Sequence, residues 1–345
     1  MNSVKKLTAF LLTAVLAATT ACSQQAPAAS SGDAVSSQSI SSSEAAPAKT
    51  TVRVVGLKGP TGISMVKLMS DSDAKQTSEN YQFSLVSSPD EVTAKIISGG
   101  VDVAAAPTNL AAVLYNKTQG KVQLAAVTTL GVLSVLTNGE NISSIADLKG
   151  KTVYATGQGS TPEYALNYIL KQNGLQVGRD VKVQYMAEHA ELASALIAGK
   201  VKIAVLPEPF VTQAAVKNKN VKIALNLTDE WNKAVGGKSV LTMGCLIVRK
   251  DFAEKNPEAF RSFLKEYKAS AGYAVSNVAD AAGLSKKYGI MEEAIAKKAI
   301  PNCGIVFLGG ADMKKKVPDF LNVLYQANPK SVGGKLPGDD FYYSE

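Results

Sequence analysis

Two halves of this 345-residue chain repeat each other at an offset of 100 residues. The stretch ISGGVDVAAAP at 97–107 and the stretch IAGKVKIAVLP at 197–207 share Ile, Gly, Val, Ala and Pro at equivalent positions. The same offset aligns Thr61 with Thr161, each just after an apolar strand. Self-similarity of this extent indicates two copies of one structural unit.

Each copy alternates short apolar runs with segments of helical spacing. Strands are predicted at 52–57, 81–86, 101–105, 122–127, 151–155, 181–185, 201–205 and 221–225. Strands and helices that alternate at this length are typical of a parallel sheet with helices on both faces. The sequence therefore predicts an α/β fold with two similar lobes whose sheets are mostly parallel.

Two extended apolar segments, at 131–137 and 240–248, carry the chain into and out of the second copy. Neither contains a helix-start pattern, so we expect them to pair as a two-strand hinge between the lobes. Helical segments follow, and we assign them to the first lobe; they lie at 251–273, 275–288, 292–298 and 311–327. The predicted first lobe is 51–137 together with 241–345, and the predicted second lobe is 138–240.

The amino-terminal 21 residues have the composition of a bacterial export signal. Lys5 and Lys6 precede an apolar run at 7–18 that is too short to span a membrane, and small residues then lead to Cys22. This pattern predicts a lipoprotein signal peptide at 1–21 and a lipidated Cys22; the alternative is an ordinary secretory signal with an incidental cysteine. Residues 22–50 are rich in Ser, Ala, Gln and Pro, which predicts a flexible linker.

Composition excludes several classes of function. The net charge of +8 comes from lysines spread along the chain, and the arginines do not cluster with aromatic residues, so we expect no nucleic-acid partner. The single histidine, His189, is expected to be solvated at a helix start. With few Cys and His residues we also expect no metal, no cofactor and no Ser-His-Asp triad. Cys245 and Cys303 could form a disulfide or remain buried free thiols.

Four loops follow strands at equivalent positions of the two copies, and they lie at 58–62, 107–109, 158–162 and 207–209. Ligands of open α/β sheets bind beyond the carboxyl ends of the strands, where such loops enter helices. Ser, Thr, Asn and Pro at these places are also ordinary helix-start residues, but two facing sets of loops favour a cleft. The candidate ligand-binding residues are Lys58, Thr61, Gly62, Thr108, Asn109, Gln158, Ser160, Thr161 and Glu208.

Five segments carry a resemblance to a known family. They are the site at Cys22, IADLKGKTV at 145–153, AVLPEP at 204–209, IVRKDFAEKNP at 247–257 and KLPGDDFYY at 335–343. With these segments the chain resembles the extracytoplasmic substrate-binding lipoproteins of ABC importers, in the branch for nitrate, sulfonate, taurine and thiamine-precursor pyrimidines. The resemblance implies a type II periplasmic-binding-protein fold whose lobes close on one solute. It also implies a monomer without catalytic residues, held on the membrane by lipid, that docks to a permease and its ATPase.

Different residues at the predicted cleft favour solutes of different charge. Helix amino termini around a cleft favour an anion by about 0.3–1 kcal/mol each, whereas a carboxylate at Glu208 would oppose an anion by about 4 kcal/mol at about 4 Å. If Glu208 faces the cleft, a nitrogen-containing, pyrimidine-like solute is favoured over a small sulfonate-type anion. Two other classes stay open: an enzyme of the same fold that forms a pyrimidine precursor, and a surface adhesin or sensor without a ligand.

Overall fold

The computed structural model describes residues 49–344. Cys22, the predicted signal peptide and nearly all of the predicted linker therefore lie outside the described residues. The first strand begins at Thr51, where the sequence predicts the folded part to begin. Strands and helices alternate along the chain, so the α/β class is confirmed.

The described residues form eleven strands and thirteen α-helices. The strands are β1 (Thr51–Leu57), β2 (Asn80–Val86), β3 (Val103–Pro107), β4 (Val122–Leu130), β5 (Leu133–Asn138), β6 (Thr152–Thr156), β7 (Lys182–Met186), β8 (Ile203–Pro207), β9 (Val221–Asn226), β10 (Thr242–Arg249) and β11 (Ile305–Gly309). The helices are α1 (Pro60–Ile63), α2 (Val66–Asp73), α3 (Pro89–Ile97), α4 (Thr108–Lys117), α5 (Thr161–Gln172), α6 (His189–Ile197), α7 (Phe210–Lys217), α8 (Leu227–Val235), α9 (Lys250–Lys255), α10 (Pro257–Ser276), α11 (Val278–Lys287), α12 (Glu293–Ala299) and α13 (Gly310–Ala327). Within residues 49–344, no helix combines the length and apolar composition that crossing a bilayer requires.

Two sheets of the same plan correspond to the two copies of the repeat. The first has the strand order β11-β4-β10-β3-β1-β2, and the second has the order β7-β6-β8-β5-β9. In the first sheet β1 runs parallel to β2 and β3, and in the second β6 runs parallel to β7 and β8. The repeat therefore relates β1, β2, β3 and β4 to β6, β7, β8 and β9 in the same order.

The two crossing strands differ from the predicted hinge. β5 lies between β8 and β9, and β10 lies between β3 and β4, so the crossing strands do not pair with each other. Both crossing strands run antiparallel to their neighbours in the sheet, so both sheets are mixed. The first crossing lies at 131–132 and not at 137, because Leu133–Asn138 belongs to the second sheet.

Local sequence signals account for several helix boundaries. Ser88 and Glu91 form a reciprocal capping box at the start of α3, and Pro89 occupies its first turn. The single helix predicted at 251–273 is wrong, because α9 ends before Asn256 and Pro257 opens α10. The edge strand β11 was not predicted.

Apolar contacts join the two lobes, since two of the core clusters contain residues of both. Trp231 of α8, in the second lobe, is fully buried. Its ring centre lies 5.7 Å from that of Phe320 on α13 and 5.2 Å from that of Tyr168 on α5. The carboxy-terminal helices therefore pack against the second lobe as well as the first.

The disulfide considered between Cys245 and Cys303 is not formed, because both cysteines are free and buried. They belong to different core clusters. Cys245 on β10 faces the Pro107 carbonyl, with 3.9 Å between Sγ and O. Burial raises the pKa of both thiols, so both are protonated near neutral pH.

Candidate functional site

A small cavity of about 60 Å³ lies between the two lobes. The first lobe contributes the loop after β1, the end of β3 and parts of β4 and β10, and the second lobe contributes the starts of α5 and α6 and the end of β8. The lining residues are Leu57, Lys58, Gly59, Pro60, Thr61, Ala106, Pro107, Thr129, Val132, Pro162, His189, Pro207, Met243 and Gly244. A space of this size suits a ligand group of a few heavy atoms.

Lys58 is the only Lys, Arg, Asp or Glu among the described residues that line the cavity. Its backbone N–H donates to the Val86 carbonyl at 3.0 Å, which holds the loop after β1 in place. Within residues 49–344 its ammonium group forms no ion pair and no hydrogen bond. The described residues of the lining include no carboxylate, so Lys58 has no counterion there.

Two threonines of the first lobe, Thr61 and Thr129, line the same cavity. Thr61 Oγ1 donates to the Leu57 carbonyl at 3.3 Å, which is a long hydrogen bond. Thr129 Oγ1 is buried and has no hydrogen-bond partner within the described chain. A Cβ at Gly244 would lie 2.9 Å from Thr129 Oγ1 and 2.9 Å from Thr61 Cγ2, so a side chain here would displace these two threonines. A buried hydroxyl without a partner is costly, and a hydrogen-bonding ligand would remove that cost.

His189 also reaches the cavity, so its predicted solvated position is wrong. Its half-buried ring lies 5.4 Å from the Phe210 ring, centre to centre, and its Nδ1 lies 2.5 Å from Thr156 Oγ1. Desolvation lowers the pKa of His189 to about 4, so the imidazole is neutral near pH 7. When the Thr156 hydroxyl donates to Nδ1, Nε2 carries the proton and can donate to a ligand.

Two predicted ligand residues instead bond to each other across the lobes. Thr161, at the start of α5, donates from Oγ1 to Asn109 Oδ1 at 3.1 Å, and it accepts from the Asn109 N–H at 3.3 Å. Asn109 Nδ2 donates to the Ser331 carbonyl at 2.9 Å and to the Gly159 carbonyl at 3.4 Å. Both side chains are fully buried. This Asn109–Thr161 bridge joins the lobes beside the cavity and leaves neither residue in its lining.

Glu208 is buried but does not line the cavity. Its carboxylate accepts from the Thr212 N–H at 3.1 Å and from the Thr212 hydroxyl at 3.0 Å, in the first turn of α7. Desolvation raises the pKa of Glu208, and the two hydrogen bonds from Thr212 work in the opposite direction. The condition that favoured a pyrimidine-like solute, a carboxylate facing the cleft, is therefore not met.

The other predicted site residues lie near the cavity without lining it. Thr108 is fully buried beside Pro107, and its hydroxyl has no partner among residues 49–344. Ser160 Oγ donates to the Gly157 carbonyl at 2.6 Å, which stabilises its own loop. Gln158 is exposed. A Cβ at Gly62 would lie 2.6 Å from the Leu57 carbonyl, so Gly62 lets α1 approach β1. As ligand contacts these residues remain predictions.

A comparison with protein families identifies the class. The family described as ABC transporter, phosphonate, periplasmic substrate-binding protein matches residues 71–291. The chain therefore belongs to this family, and the resemblance to substrate-binding proteins of ABC importers is confirmed. Proteins of this kind bind small solutes outside the cytoplasm and work with a membrane permease.

Solved structures agree with this fold. An ABC transporter structure from Parabacteroides distasonis is 28% identical, with a TM-score of 0.70, and the match covers 86% of this chain and 100% of that one. The alkanesulfonate-binding protein of Xanthomonas axonopodis pv. citri, bound to MOPS, is 14% identical, with a TM-score of 0.66 and coverage of 85% and 96%. The nitrate-binding protein of Synechocystis PCC 6803 is 16% identical, with a TM-score of 0.58 and coverage of 77% and 74%. No curated protein sequence matches the chain.

Proposed function

We propose that this protein captures a small organic oxyanion with a single negative charge, such as a sulfonate, between its lobes and delivers it to an ABC permease. It does so as a monomer and turns nothing over. The charged oxygens contact Lys58, the hydroxyls of Thr61 and Thr129, and His189. The apolar remainder of the solute lies against the proline and aliphatic side chains of the lining.

The observation that carries this proposal is Lys58 in the lining of a cavity that contains no carboxylate among the described residues, together with an ammonium that forms no ion pair within residues 49–344. A unit charge at about 4 Å contributes about 4 kcal/mol at an effective dielectric of about 20. Glu208 would cancel this attraction if it faced the cavity, but it binds Thr212 instead. A lining with one lysine and no carboxylate argues against a cationic solute. It also favours an anion over the pyrimidine-like solute.

The charge and shape of the lining support a monoanion in particular. One lysine balances one negative charge, and a neutral His189 adds a donor without a second charge. The lining is otherwise largely apolar, which suits a solute with a short carbon chain better than a fully hydrated inorganic ion. The phosphonate description of the family and the alkanesulfonate-binding neighbour support an organic oxyanion.

Titration calorimetry with ethanesulfonate, ethylphosphonate, nitrate and a neutral pyrimidine tests the proposal. The Lys58→Met variant should lose about tenfold to a hundredfold in affinity for ethanesulfonate, because a hydrogen bond to a charged group contributes about 1.5–3 kcal/mol. Lys182→Met, at an exposed lysine on β7 outside the cavity, is the matched control and should bind as the parent does. Tight binding of the pyrimidine that is insensitive to Lys58→Met would refute the proposal.

We also propose that Cys22 is acylated and tethers the mature chain to the outer face of the cytoplasmic membrane. The support is the small-residue stretch before Cys22, which the structure does not describe. Cys22→Ala should move the expressed protein from the detergent phase to the aqueous phase in a phase-partition assay. Cys245→Ala, at a buried thiol, should leave the partition unchanged. Equal partition of the Cys22→Ala variant and the parent would place the anchor elsewhere.

A further inference from the structure

A basic groove lies on the first lobe, outside the cavity between the lobes. It has a volume of about 650 Å³ and runs between α10, the end of β11 and the start of α13. Lys265 and Lys268 of α10 lie on its wall, one turn apart on the same helix face, and Lys314 of α13 also lines it. All three lysines are exposed.

These lysines have no counterion in the described part of the chain. None of the three forms an ion pair within residues 49–344. Arg261, on the same wall, pairs with Glu258. Asp312 is the only carboxylate in the lining that the structure describes. The groove therefore carries an excess of positive charge.

Aromatic side chains lie beside the lysines. Phe307 and Tyr343 line the groove and are half-buried, and the Lys268 ammonium lies 5.9 Å from the centre of the Phe307 ring. Basic and aromatic side chains side by side are typical of surfaces that meet the headgroup region of a bilayer. Nucleic-acid surfaces would need arginine-rich clusters with aromatic stacking, and here the free charges are lysines.

We propose that this groove binds the phosphate-ester headgroups of an anionic bilayer and so orients the first lobe on the membrane. The 27 residues from Cys22 to the start of the described chain could extend about 90 Å, so a tether at Cys22 would leave the groove free to reach the membrane. The site is independent of the cleft. The proposed acylation of Cys22 would only hold the chain near a membrane. Headgroup binding by the groove does not depend on it, so the test uses protein that lacks this cysteine.

Vesicle co-sedimentation of the full chain carrying Cys22→Ala tests this proposal. The protein should bind phosphatidylglycerol vesicles, not bind phosphatidylcholine vesicles, and dissociate as salt rises. The triple change Lys265→Gln, Lys268→Gln and Lys314→Gln should weaken binding about a hundredfold, since each basic residue near an anionic surface contributes about a factor of five. Asp312→Asn should strengthen it.

The matched control is a triple change of exposed lysines on the second lobe that also form no ion pair within the described residues. These are Lys200→Gln, Lys219→Gln and Lys222→Gln. The control removes the same net charge and should weaken binding less than about threefold, because charges away from the contact are screened. Three results would overturn the proposal: equal losses in the two triple variants, no binding of the parent to phosphatidylglycerol, or release by inorganic phosphate beyond that by chloride at equal ionic strength. The last would assign the groove to free phosphate.

Discussion

The charge of the cavity depends on the direction of one carboxylate. Glu208 stands at a loop that the repeat correctly places after β8, but its side chain binds the first turn of α7. The sequence identifies the loop and cannot give the rotamer, because a carboxylate two residues before a helix start serves equally well as a cap or as a ligand contact. Lys58 and Thr61 are predicted at the cleft and do line the cavity. Which of them touches solute stays a prediction.

His189 shows why sequence analysis can miss residues that line the cavity. A lone histidine at a helix start is usually solvated, and its burial here comes from Phe210 and Thr156, which lie elsewhere in the second lobe. Such contacts depend on tertiary packing, so local sequence carries no signal for them. The same packing gives His189 a measurable pH signature.

That signature is a loss of stability in acid. The unfolded chain protonates this histidine below about pH 6.5, whereas the folded protein does so only below about 4. Between these values the unfolded state binds more protons, so the free energy of unfolding falls as pH falls from about 6.5 to about 4. Urea unfolding at both ends of this range should show that His189→Gln loses less stability than the parent, by about 2 kcal/mol after allowance for partial exposure. Parallel pH profiles would mean that the ring is solvated.

At the level of strands and helices, the repeat predicts the strand positions well. All eight predicted strands are present, and each observed strand starts within two residues of its predicted start. The repeat does not predict which strands β5 and β10 pair with. Their positions depend on how each sheet assembles around them, and the local sequence does not encode that. β11 is short and lies at a sheet edge, and its five residues stand between helical segments without a period of their own.

The Asn109–Thr161 bridge links the two helices that start on either side of the cavity. Thr161→Val keeps the shape and removes the hydrogen bond to Asn109 Oδ1. If the bridge stabilises closure, affinity for every bound anion should fall by the same factor, up to about tenfold. Calorimetry with several anions measures this factor.

The control for the bridge is Thr118→Val, at the carboxy-terminal end of α4, the helix whose first turn carries Asn109. Thr118 Oγ1 donates at 2.7 Å to the Leu114 carbonyl of the same helix and makes no contact across the lobes, so its loss should leave affinity unchanged. A change in selectivity among anions in Thr161→Val would show that Thr161 touches the solute. Unchanged affinity would show that the bridge takes no part in binding.

The molecule as a whole uses its two copies unequally. The repeat aligns Lys58 with Gln158, yet Lys58 lines the cavity and Gln158 is exposed. The first lobe contributes Lys58, Thr61 and Thr129 to the lining, and the second lobe contributes His189 and apolar residues. Similar folds thus give an asymmetric cavity, because equivalent positions of the two copies carry different residues.

Negative-ion mass spectrometry of small molecules released from the heat-denatured protein, purified from its native host, tests the binding of a monoanion through Lys58. We expect one organic sulfonate or phosphonate in near-stoichiometric amount from the parent, and its absence from Lys58→Met purified in parallel. Release of a neutral or cationic heterocycle from both proteins, in equal amounts, would contradict it.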